Sequence, residues 1–294
     1  MRSAKCGVRS KKIVTTVLFF LIWAASAVAG QDQQIAQKLA ALEKIGGKFS
    51  FVVLGDNRSG DKEYSTLLRM AMERKPDLIV NTGDMIATPG NIADWAKFWE
   101  LSKIVTVPYF LTVGNHDAHP KVPGSEKVYK EQVDLPGNEL YYSFVAGNSL
   151  FVVLDSFIAG HERRIDGDQL KWLEGVLPNA NAKHMFVFLH HPLYTEPGKG
   201  KHSGDCLDEY PKDRDRLEAL LVQAKVDAVF AGHEHFYQRK TVDGIAHIIS
   251  GGGGAPMYSK DEEGGFYHYI YVTVDGEKVS GEVVDISGKI RDRF

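Results

Sequence analysis

Six side chains able to hold a metal ion sit at the ends of short apolar runs in this 294-residue sequence. Phe51-Val52-Val53-Leu54 leads into Gly55-Asp56, and Leu78-Ile79-Val80 into Asn81-Thr82-Gly83-Asp84. Tyr109-Phe110-Leu111-Thr112-Val113 leads into Gly114-Asn115-His116-Asp117, Met185–Leu189 into His190-His191, and Ala228-Val229-Phe230-Ala231 into Gly232-His233-Glu234-His235. One such junction means little, because turn residues commonly follow strands. Five that all deliver carboxylate, amide or imidazole point to loops converging at one edge of a sheet to hold metal. Asp56, Asp84, Asn115, His190, His233 and His235 offer hard oxygen and borderline nitrogen donors and no thiolate, which suits Mn, Zn or Fe better than copper or an iron–sulfur cluster. His233 and His235, on alternate positions after a buried strand, face the same side. Six donors exceed the needs of one tetrahedral metal but divide between two divalent ions if one carboxylate bridges. Such a pair clamps a phosphoryl group.

Apolar runs alternate with helical patterns. Tyr64, Leu67, Leu68 and Ala71 recur at helical spacing and Pro76 closes the segment; Ile92, Trp95, Ala96 and Trp99 mark a second helix. Leu170, Leu173 and Leu177, ahead of Pro178-Asn179, mark a third, and Leu217, Leu220, Leu221 and Ala224 a fourth. Strand, helix, strand in this order predicts an α/β layered architecture. Gly147-Asn148, Asp243-Gly244 and Asp275-Gly276 each separate two apolar runs, which predicts hairpins and therefore mixed sheets. Residues 30–47 read as an amphipathic lead-in helix, centred on Gln31 to Lys44, before a domain over 48–294 with no internal linker. Two stretches, His119–Leu135 and Tyr194–Tyr210, read as loops that would line a pocket.

Taken together, Gly55-Asp56-Asn57-Arg58, Gly83-Asp84, Gly114-Asn115-His116-Asp117, His190 and Gly232-His233-Glu234-His235 resemble the calcineurin-like metallophosphoesterase superfamily, over about Phe49 to Ser280. The resemblance implies a four-layer α/β/β/α sandwich with two mixed β-sheets. It also implies that Asp56, Asp84 and His235 hold one metal, and that Asp84 bridges to a second held by Asn115, His190 and His233. A hydroxide between the metals would attack phosphorus, with His116 as general acid, a role for a group that holds a proton near neutral pH. In the pattern the ligand is the His two places before Pro192, which selects His190 and leaves His191 to packing or to support of a ligand. His119, His161, His184, His202, His247 and His268 read as surface or satisfied core residues, with His202 a candidate substrate contact.

Two positions depart from the pattern. Many superfamily members place His two residues after the first Asp, where this chain has Arg58. A guanidinium stays protonated and cannot ligate. Beside a metal pair it suits phosphate oxygens, so Arg58 is expected to contact substrate. Ala87, three residues after Asp84, supplies neither the metal-bound Tyr of purple acid phosphatases nor the Asp of protein Ser/Thr phosphatases, so no tyrosinate–iron colour is expected. His116 then needs another orienting partner, either Asp117 or a backbone carbonyl. The run Ser250-Gly251-Gly252-Gly253-Gly254-Ala255-Pro256 is either a flexible turn or backbone passing close to the metals, where side chains would clash. It and Trp172-Leu173-Glu174, after Leu154-Asp155-Ser156, resemble the purple-acid-phosphatase-like branch.

The first 29 residues carry Arg2, Lys5, Arg9, Lys11 and Lys12, an apolar stretch from Ile13 to Ala25, and Ala27-Val28-Ala29. They read as a signal peptide for export to the periplasm or exterior, with an uncleaved membrane anchor as the alternative. Without them 30 basic residues face 38 acidic ones, a net of −8. So acidic a chain has no electrostatic footprint for nucleic acid. Only Cys206 remains, so no intramolecular disulfide forms. The expected activity is hydrolysis of phosphomonoesters, on a phosphorylated small molecule. Phosphodiester hydrolysis at the same site, a non-catalytic metal- or phosphate-binding member of the fold, and a solute-binding protein are the alternatives.

Overall fold

Alternate residues of the central strands enter two different cores, and this alternation builds the layers. The computed structural model describes residues 32–178, 180–196, 200–202 and 204–294, so the signal segment and Asn179 lie outside the described residues. One sheet takes β1 (Lys48–Leu54), β2 (Leu78–Asn81) and β3 (Tyr109–Leu111). The other takes β4 (Tyr142–Ala146), β5 (Ser149–Val153), β6 (His184–Phe188), β7 (Ala228–Ala231), β8 (Tyr237–Val242) and β9 (Ile245–Ser250). β10 (His268–Asp275), β11 (Lys278–Asp285) and β12 (Ile290–Arg293) return to the first. The orders are β12-β11-β10-β1-β2-β3 and β4-β5-β6-β7-β9-β8. β1, β2 and β3 run parallel, as do β5, β6, β7 and β9, while β10 and the hairpin partners run antiparallel.

Phe151, Phe186, Phe188 and Phe230 point between the sheets, whereas Val152, Val187 and Val229 point outward into a second cluster. Phe51 of β1 meets all four of those rings, at centroid distances of 5.1, 4.9, 6.4 and 6.2 Å. At the sheet edge Phe110 of β3 stacks on Phe144 of β4 at 3.8 Å. The outer face of the second sheet is covered by Leu170 and Leu173 of α5 (Gly167–Val176) and by Leu217 and Leu221 of α6 (Pro211–Ala224). α2 (Asp61–Glu73) and α3 (Ile92–Ser102) pack with the first sheet through Tyr64, Leu67, Leu68, Trp95 and Phe98. Strands buried on both faces and helices outside give the expected four-layer α/β/β/α sandwich with two mixed sheets.

Local differences from the sequence reading have simple causes. In α3 the inward face is Trp95, Phe98, Trp99 and Ser102, while Ile92 is 61% exposed in the first turn that the Asn91 side chain caps. Residues 119–135 are not all loop: α4 (Ser125–Gln132) occupies the middle, anchored by a single aromatic, Tyr129, against Trp95. One apolar anchor gives no periodicity to read. The last hairpin turns at Gly276-Glu277, since Asp275 already pairs with Lys278. The lead-in helix is α1 (Ile35–Leu42), pinned by the buried Lys38, which donates to Asp32 at 2.7 Å and to the Asp134 carbonyl at 3.0 Å. Among the described residues no helix is long and apolar enough to cross a membrane.

Because Phe51 joins both sheets through four rings, Phe51→Ala is expected to cost about 3–5 kcal/mol of unfolding free energy. Denaturant titration checks it, and a loss below ~1 kcal/mol would mean the inter-sheet layer repacks freely.

Candidate metal centre

The five junctions do meet, but across two sheets rather than at one sheet edge. The turns after β1, β2 and β3 come from one sheet and those after β6 and β7 from the other. Parallel pairing continues past the strand ends: Asp56 N donates to Gly83 O at 2.8 Å, and Thr112 N to Asn81 O at 2.8 Å. Gly232 N donates to His190 O at 2.9 Å on the other side. Sequence patterning gives each strand its end but not its sheet, because both sheets present the same apolar strands to the common core. Asp56, Asp84 and His233 have left-handed φ of 56°, 58° and 69°. Such backbone costs about 1–3 kcal/mol per residue and persists only where surroundings hold it. Glycine is required where the turns touch: a Cβ on Gly114 would lie 2.4 Å from Asp84 Oδ1, and one on Gly232 2.4 Å from Asp56 Oδ2.

Asp56 and Asp84 are both buried. His233 N donates to Asp56 at 3.0 Å, and His116 N to Asp84 Oδ1 at 2.9 Å. Arg58 Nε donates to Asp84 Oδ2 at 3.1 Å. Burial alone would raise the Asp84 carboxyl, but the neighbouring His190, His116 and Arg58 outweigh it and hold it well below the usual carboxylate range. Asp84 is therefore an anion at neutral pH, the form a metal takes.

The imidazoles are aimed by backbone carbonyls. His190 Nδ1 donates to Thr82 O at 2.8 Å, and His235 Nδ1 to Pro256 O at 2.7 Å. With the Nδ1 proton committed to a carbonyl, each ring turns its Nε2 inward, the atom that ligates a metal when it carries no proton. His190 Nε2 then faces Asn115 Oδ1 at 3.1 Å and Asp84 Oδ1 at 3.3 Å, and His235 Nε2 faces Asp56 Oδ1 at 3.5 Å. Where the rings are neutral, acceptor faces acceptor in each pair, an arrangement that a shared cation relieves. Asn115 Oδ1 also lies 3.0 Å from His233 Nδ1. Two donors each 2.0–2.1 Å from one tetrahedral ion are roughly 3.3 Å apart, so these spacings match the edges of a coordination shell. Asp56, Asp84 and His235 present ligand atoms within 4.8 Å of one another. The Nε2 atoms of His233 and His235 are buried without a partner. Burial, then the neighbouring imidazoles, keep His233 neutral, the ligand-competent form. The donor set fits divalent cations.

All six expected ligands are thus brought together. His116 lies beside them, its Nδ1 donating to Ala87 O at 2.7 Å, so the orienting partner is the backbone carbonyl. Asp117 does something else: its carboxylate accepts from the amides of Gly114, Asp84 and Met85, each at 2.8 Å, tying the turn after β2 to the turn after β3. His191 lies nearer the centre than expected, its ring 4.2 Å from His233 while Nδ1 is 2.9 Å from Ser156 Oγ. His202 is drawn to 4.4 Å from the His233 ring because the buried Glu234 accepts from the amides of Lys201 and His202, both at 2.9 Å. His184, His247 and His268 hydrogen-bond elsewhere, with Asp227, Glu218 and the Phe266 carbonyl. The glycine run packs on the end of β1, with Gly253 N donating to Gly55 O and Ala255 N to Asp56 O at 2.8 Å, which favours backbone passing close to the site over a flexible turn. Just beyond it, Tyr258 stacks on His235 at 4.0 Å, close enough to Arg58 for the guanidinium charge to act on its hydroxyl. Nothing in its local sequence signals that contact.

The calcineurin-like phosphoesterase family model matches residues 49–237. Purple acid phosphatase 23 of Arabidopsis thaliana is 32% identical over 54% of this chain and 37% of its own length. A purple acid phosphatase of Glycine max is 27% identical over 79% of this chain and 52% of its own length. The chain therefore spans about half or less of these relatives. Among solved structures, the purple acid phosphatase PPD1 from yellow lupin (Lupinus luteus) seeds superposes with a TM-score of 0.69 over 85% of this chain and 53% of that one, at 19% identity, a likeness of fold.

Asp117→Asn places an NH2 group against amide donors and should loosen the Asp84 turn. Divalent-metal affinity is expected to fall about 10- to 100-fold, measured by chelator competition. An unchanged affinity would show that the clamp is dispensable.

Proposed function

The chain belongs to the calcineurin-like phosphoesterase family, and from that premise we propose that it is an exported phosphomonoesterase with two divalent metal ions and small phosphorylated substrates. The observation that carries the metal reading is the pair of inward Nε2 lone pairs, on His190 and His235, facing Asp84 and Asp56. Asp56, Asp84 and His235 would hold one ion; Asp84, Asn115, His190 and His233 would hold the second. Ions bound there supply Lewis acidity toward phosphoryl oxygens and an activated water at neutral pH.

The remaining work falls to the protein's own groups. With Nδ1 fixed by the Ala87 carbonyl, His116 is left with Nε2 to hand a proton to the departing alkoxide. Arg58 stands at the outer oxygen of Asp84, where its fixed charge meets phosphoryl oxygens. Tyr258 braces the His235 ring by stacking and lies within electrostatic reach of that guanidinium. Export rests on the basic, apolar and small-residue regions of residues 1–29.

Metal-reconstituted protein is expected to hydrolyse p-nitrophenyl phosphate faster than its bis ester, and His116→Ala to lower kcat about 10²- to 10⁴-fold. If no divalent metal supports cleavage of either ester above the His116→Ala background, the enzyme reading fails. Arg58→Ala should raise the inhibition constant of inorganic phosphate about tenfold, the loss of one charge-assisted contact. Equal inhibition of both proteins would remove Arg58 from substrate binding.

A further inference from the structure

A cleft of ≈ 190 Å³ opens between α4 and the segment after β5. Val113 and His119 of the Asn115 loop form one wall, Phe157 and Ala159 the other, with Asp155 and Glu126 among the lining groups. A relay of ring contacts links it to the metal centre, whose ligands do not themselves line it: His119 meets Phe157 at 5.1 Å, Phe157 stacks on His191 at 4.9 Å, and His191 meets His233 at 4.2 Å.

Asp155 is the unusual member. It is 4% exposed, yet no cation pairs with it among the described residues. Its Oδ1 accepts the Phe157 amide at 2.7 Å, and no donor from the described residues reaches Oδ2. Lys130, whose charge acts on it, is committed to Glu126 at 2.9 Å. Burial accordingly pushes the Asp155 carboxyl up to about 7. A buried carboxyl without a partner is costly, and proteins keep one where something else completes it. Apolar walls and one buried carboxyl without a cation describe a receptor for a short aliphatic stem ending in an ammonium.

We propose that this cleft is the leaving-group subsite of the metal centre and selects phosphomonoesters of small amino alcohols, whose ammonium is received by Asp155. The inference rests on the phosphomonoesterase reading, but its test does not need turnover. Metal-loaded full-length protein is titrated with ω-aminoalkyl phosphonates of two to four carbons and with their n-alkyl isosteres, competed against inorganic phosphate. The best amino compound is expected to bind about tenfold tighter than its isostere, as one charge-assisted contact allows. Asp155→Asn keeps the acceptor for the Phe157 amide and should abolish that difference while leaving the alkyl compounds unchanged. Ala159→Phe, at the exposed rim, should weaken both tails and spare inorganic phosphate. Absence of discrimination at every chain length, or discrimination that survives Asp155→Asn, overturns the assignment. Turnover of p-nitrophenyl phosphate decides the phosphatase reading separately.

Discussion

The structure is organised around hydrogen-bond acceptors that face one another out of water. Two imidazoles are locked by the carbonyls of Thr82 and Pro256 so that their bare nitrogens look at Asp84, Asn115 and Asp56. Buried acceptors left this way repel and remain desolvated, and nothing local compensates them except Arg58 and a few backbone amides. The arrangement fits the negative of a cationic centre. The left-handed backbone at Asp56, Asp84 and His233 follows from the same demand, since each turn must bend its donor back over the strand that delivers it.

That centre is divided between two sheets, so its geometry depends on how far apart they are held. The phenylalanine layer around Phe51 sets the separation, and the stacked pair Phe110 and Phe144 sets it at the edge nearest the Asn115 loop. Across the turns themselves the spacing is fixed by carboxylate clamps. Asp117 binds the turns after β2 and β3 to each other, and Glu234 draws the 200–202 backbone toward His233. A rigid aromatic core and two polar clamps thus position six donors that are distant in sequence.

Much of this was legible in the residues. Glycine followed by a donor after an apolar run marks a strand end with a tight turn, and the six expected ligands lie together as that pattern implied. The hairpins at Gly147-Asn148 and Asp243-Gly244 also fall where the turn chemistry places them. What could not be read is tertiary. A period of two tells inside from outside but not one sheet from another, and α4, with Tyr129 as its one aromatic anchor, carries no helical signal. Asp117, a candidate partner for His116, is instead a clamp, because its hydrogen-bond donors are backbone amides 31 to 33 residues away as well as one in its own loop. Tyr258 reaches the site from beyond a glycine run, by a contact no local pattern encodes.

Cations are expected to fill the space between these acceptors. Elemental analysis by inductively coupled plasma mass spectrometry, on full-length protein loaded with Mn, Zn or Fe and exhaustively dialysed, tests it directly. About two divalent ions per chain are expected, the number that six donors with one shared carboxylate could hold. Retention of less than one ion per chain with every metal would contradict it, because His190 and His235 would then have to meet the carboxylates as protonated rings instead.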